Sequence, residues 1–86
     1  MEDIGRVWRK AARRKYISRL ARAERELAKI IRTASEREGI DFTAFPYELA
    51  YENHLTRRER KRARHLKSII RRCREKVTAY GFQRHA

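Results

Sequence analysis

The sequence predicts an all-α fold: an antiparallel helical hairpin of two long helices, with a short third helix in the connector. Three observations predict it. Two stretches carry apolar residues at alternating steps of three and four, the spacing of a single helix face. The two seams match in length. A glycine follows each stretch, Gly39 and Gly81, and glycine is favoured just past a helix end. No sheet is expected, and the 86 residues form a single domain.

The first helix is expected over residues 3–38. Its seam is Tyr16, Leu20, Ala23, Leu27, Ile30 and Ala34, widened by Ile17 and Ile31. Upstream the pattern changes phase. Ile4, Val7, Trp8 and Ala11 lie on a face turned roughly 100° from that seam, at about 100° per residue. Either the helix kinks near Lys10–Lys15, or its N-terminal end packs on a different partner. Burial in a second copy is the simplest use of that face, so a homodimer that joins two hairpins into a larger bundle is an expectation.

The connector, residues 40–55, is rich in Ile, Phe, Tyr and Leu, too apolar for a solvated linker. Pro46 suits the first position of a helix, which predicts a short helix from Pro46 to about Asn53 that closes the open side of the hairpin. The last helix is expected over residues 56–80, with Gly81 as its stop. Thr56 and Glu59 form a capping box at its start. Its seam is Ala63, Leu66, Ile70, Cys73, Val77 and Tyr80, widened by Ile69. Laid antiparallel, Ala34 meets Ala63, Leu27 meets Ile70 and Tyr16 meets Tyr80. Val7, Trp8 and Ala11 then overhang, within reach of Phe82.

Charge points to function. The formal net charge is +13, and arginine supplies 18 of the 24 basic residues. Residues 1–33 carry a net of +7, residues 34–55 a net of −4 and residues 56–86 a net of +10. Six of the eight residues from Arg57 to Arg64 are basic, directly after a helix start. Charge runs are commonly solvated faces, but those alternate in sign so that neighbours four apart attract. Here neighbours mostly repel, and a polyanion removes that cost. Arginine also offers a planar fork that pairs phosphate oxygens or a guanine edge.

The expected function is therefore non-catalytic binding of nucleic acid, RNA or DNA, by arginine-rich helix faces. The candidate contacts are Arg57, Arg58, Arg60, Lys61, Arg64, Arg71 and Arg72 on the last helix. On the first they are Arg9, Lys10, Arg13, Arg14 and Lys15. Arg57, Arg60, Lys61 and Arg64 point away from the seam, so their replacement should spare the fold. Trp8, Tyr16, Tyr80 and Phe82 could stack on bases, but Tyr16 and Tyr80 fall on the seams, which favours a role in capping the core. The alternative function is a small basic adaptor or inhibitor that docks on an acidic protein surface. A protein partner within a nucleoprotein complex fits either reading.

Other chemistry has little support. Glu48 and Glu52 are four apart and follow Asp41, but nothing else resembles a metal-dependent nuclease. An acidic patch that caps a helix or pairs with arginines is the simpler reading. His54, His65, His85 and Cys73 lack the spacing of ligands on one helix face, so no metal and no cofactor are expected. Cys73, alone and on the seam, reads as a small buried residue. A lone cysteine points to the cytoplasm or another reducing intracellular compartment. No apolar run is long enough for a membrane span, and the acidic start at Glu2 and Asp3 argues against a basic leader. A membrane-surface helix is disfavoured because the apolar stripes contain alanine and lack a bulky exposed face.

Overall fold

The structure is a computed structural model that describes residues 4–44 and 50–82. Helix α1 runs Ile4–Glu38, a single 3-10 turn spans Tyr51–His54, and helix α2 runs Arg57–Phe82. From Arg6 to Glu38 the chain contains no glycine or proline and is built mostly from strong helix formers. It is α-helical without interruption through Lys10–Lys15.

Gly39 ends α1 in the left-handed conformation, with φ +68°. The amides of Gly39 and Ile40 both donate to the Ser35 carbonyl, at 2.8 and 3.2 Å, which satisfies a carbonyl the helix leaves open. The Ser35 hydroxyl donates to the Ile40 carbonyl and closes the turn. Asp41 then accepts from the Thr43 amide and hydroxyl at 3.0 and 2.6 Å, an Asx turn that steers the chain back.

The start of α2 is the expected capping box. The Glu59 amide donates to the Thr56 hydroxyl at 3.1 Å, and the Thr56 amide donates to the Glu59 carboxylate at 2.8 Å. Its end is not as expected. Gly81 is helical and α2 continues to Phe82. Glycine permits the left-handed turn but does not compel it; at Gly39 the turn is held by the Ser35 carbonyl and by the chain reversal. The short helix expected from Pro46 to about Asn53 falls mostly on residues 45–49, which lie outside the described residues. Ala50 is α-helical, and the 3-10 turn follows it, with the Leu55 amide bonded back to the Glu52 carbonyl at 3.3 Å.

The helices pack antiparallel in the expected register. Ala34 and Ala63 are both fully buried in one cluster with Phe42, Tyr51 and Leu55. Leu27 packs on the cluster formed by Ala23, Leu66 and Ile70. Tyr16 and Tyr80 stack with centroids 6.1 Å apart and planes 20° from parallel. The core is thin, because two helices with one partial cover cannot enclose more. The molecule measures 58 × 23 × 16 Å, and its radius of gyration of 17.0 Å exceeds the roughly 12 Å of a compact chain this long. Val7 and Trp8 are 49% and 68% exposed beyond the end of α2. Trp8 therefore does not cap the core beside Tyr16; the side chains of Ile4 and Phe82 lie outside the described residues.

Candidate nucleic-acid interface

Glu24, Glu26 and Glu59 on the helices and Glu52 in the connector are paired across the hairpin. Arg37, in the last turn of α1, forks onto both oxygens of Glu59 at 3.1 and 2.9 Å and donates to the His54 carbonyl at 3.0 Å. One guanidinium thus joins α1, the connector and α2. Its bond, with those from Thr56, brings the Glu59 carboxyl down to about 2. Arg62 forks onto Glu26, Arg74 reaches Glu24 at 3.0 Å, and Lys67 reaches Glu52 at 2.6 Å. Arg62 and Lys67 each hold their partner carboxyl below the usual range. Asp41 is lowered by Thr43. Asp41 and Glu52 are therefore committed to turn and ion pair, Glu48 lies outside the described residues, and no metal-holding group of acids, histidines or cysteine is found among the described residues.

Arg57, Arg58, Lys61, Arg64, Arg71 and Arg72 stand exposed on α2 and form no ion pair with an acid among the described residues, although Arg64 lies near enough to Glu52 to help lower its carboxyl. Arg60 does not belong with them. It is half-buried, and its guanidinium donates to the carbonyls of Glu52 and Leu55 at 3.2 and 3.5 Å. Its place one turn beyond Thr56 sets it against the end of the connector rather than in solvent, so its replacement removes two bonds that tie the connector to α2.

On α1, Lys10, Arg13, Arg14 and Lys15 are exposed, whereas Arg9 is half-buried and has an interaction of its own. At about 100° per residue, Lys10, Arg13 and Arg14 share one face, and Lys15 lies about 100° further round the helix. The antiparallel register also separates the two basic groups. The block at Arg57–Arg64 lies at the turn end, level with Ala34, and the α1 group lies beyond Tyr16 at the open end. The levels of Ala63 and Tyr80 are about 25 Å apart at about 1.5 Å per residue. Arg71 and Arg72 fall between.

Two hollows flank the seam. One, of about 830 Å³, is floored by Leu27, Ile31 and Ile70 and carries Glu24 and Glu75 on its rim. The other, of about 330 Å³, is floored by Ala23, Leu66 and Ile69 and rimmed by Arg19, Arg22 and Arg72. Arg72 is among the candidate contacts named from the sequence, whereas Arg19 and Arg22 belong to the basic run of the first helix but not to that set. The spacing Tyr16–Arg19–Arg22, with steps of three, was the available signal, but which side of the hairpin it faces depends on the fold.

Among the described residues no helix is long and apolar enough to cross a membrane. No protein-family model, curated protein or solved structure matches the chain.

Proposed function

We propose that this protein binds nucleic acid, RNA or DNA, without catalysing a reaction on it. The observation that supports this reading best is the division of charge. The acids at Glu24, Glu26, Glu52 and Glu59 are taken up within the fold, which leaves a rod with arginines exposed along α2 and around the N-terminal half of α1. Holding such charges on a stiff helix is unfavourable in isolation and favourable beside phosphates, where counterions are released. Helix-borne arginines also need less ordering on binding than those of a loose tail.

Affinity comes mainly from the turn-end block, because Thr56, Glu59 and Arg37 fix its helix. The test compares the parent with a variant carrying Arg57→Gln, Lys61→Gln and Arg64→Gln, in retardation assays on single-stranded RNA, duplex RNA and duplex DNA. Those three side chains are exposed and unpaired, so the variant should melt like the parent and bind at least about tenfold more weakly, with a shallower salt dependence. Glu75→Gln is the control and should leave binding unchanged or slightly tighter. A folded triple variant with the parent's affinity and salt slope would remove the block from the interface. Absence of nucleic-acid binding by the parent would favour the adaptor reading.

A further inference from the structure

We propose that the smaller hollow is a slot for an unstacked nucleobase, so that the protein selects single-stranded nucleic acid; this rests on the nucleic-acid reading above. The slot lies along the seam, with Tyr16 toward the open end and Arg62 toward the turn. These levels are separated by the run from Tyr16 to Glu26, about 15 Å of helix. Its volume of about 330 Å³ sits at the lower end of the range for small-molecule sites.

The chemistry of the slot is divided between floor and rim. Ala23, Leu66 and Cys73 are buried and Ile69 is half-buried, so the floor is apolar. The rim carries Arg19, Arg22 and Arg72, all exposed and in no ion pair among the described residues. Glu26 is the acid on this rim, and Arg62 forks onto both of its oxygens. At the open end Tyr16 is stacked on Tyr80, and the Arg19 guanidinium carbon lies 5.9 Å from the Tyr16 ring centroid, within cation–π range.

A base in a single strand has exactly the complementary division, an apolar π face flanked by charged phosphates. The face meets Ile69 and Tyr16 while the phosphates on either side meet the arginine rim. A duplex keeps its base faces in the stack, so it can use the rim but not the floor. The larger hollow on the other side of the helix pair does not suit this ligand. Its floor is also apolar, but beside Lys67, Arg71 and Arg74 its rim bears two acids, Glu75 and Glu24, and Arg74 and Lys67 are already bridged to Glu24 and Glu52, which leaves fewer cations for phosphate than the smaller hollow offers.

The test compares a short oligothymidylate with an abasic strand of equal length and charge, by fluorescence anisotropy at one salt concentration. The parent should bind the oligothymidylate at least about fivefold more tightly, the low end of what one base stack contributes. Ile69→Gln makes the half-buried floor polar without changing charge, and should narrow that difference. A readout that needs no variant is photocrosslinking of a strand carrying 5-iodouridine. Crosslinks at Tyr16 or Tyr80 are expected, and crosslinks confined to Trp8 would place the base on the overhang and overturn the slot. Equal binding of both strands by the parent would overturn the slot and leave the nucleic-acid reading standing. Binding of neither strand, nor of any duplex, would overturn both.

Discussion

Glu59 accepts from the Thr56 amide and from both ends of the Arg37 fork. Its carboxyl is held down to about 2 from an ordinary 4.5, so the folded state favours the ionised form. That stabilisation is fully present above the unfolded value, about 4.5, and is lost as pH falls through the folded value, about 2. Glu26, Glu52 and Asp41 are shifted in the same direction and add to the same acid limb. The melting temperature should therefore fall between about pH 4.5 and pH 2, and Glu59→Gln should lower it at neutral pH while flattening that limb. Thermal melts across this range check it; an acid limb as steep in Glu59→Gln as in the parent would contradict it. Arg60 supplies a second prediction at this scale. Arg60→Gln should cost stability, about 1 kcal/mol for the lost bonds to the Glu52 and Leu55 carbonyls, whereas Arg57→Gln should cost little. Denaturant melts that rank the two variants equally would contradict it.

At the scale of elements, the register of the hairpin rests on size matching. Two alanines meet at the turn end, where Ala34 and Ala63 are both at 0% exposure, and two tyrosines meet at the open end. Ala63→Leu should force the helices apart at a fully buried position beside Ala34 and cost about 1–3 kcal/mol. Ile70→Asp, which puts a charge beside Ala23 and Leu66, should unfold the chain or leave it molten. Gly39→Ala should cost about 1 kcal/mol through φ alone, because its Cβ would meet nothing within 4 Å. Each is read from a denaturant midpoint against the parent. The helices, their register and the capping box were legible in the sequence because each depends on spacing along one helix. The Arg37 clamp was not, since its partner is 22 residues away, and a lone arginine gives no local sign of it. The end of α2 was misjudged for a related reason: glycine allows a turn that only the following chain can fix.

The whole molecule is a rod whose thin core leaves nearly every charged side chain at the surface. Its basic groups were visible in the sequence as runs, but their separation to opposite ends came from the antiparallel register. The contrast between two hollows, one more strongly basic than the other, came from which residues flank each side of the seam. Net charge alone would attract any polyanion loosely. The structure offers more than that, because Arg19, Arg22 and Arg72 converge on one apolar slot between the exposed groups at either end. A strand that follows this side would engage several phosphates at once.

The most direct measurement of the central claim is the affinity of the parent for a single-stranded oligonucleotide as a function of salt. If the three slot arginines each engage a phosphate, a plot of log affinity against log salt should be linear with a slope of about −2 or steeper, since each contact with a single strand contributes about −0.7. Absence of binding at low salt, or an affinity that does not fall as salt rises, would contradict the account.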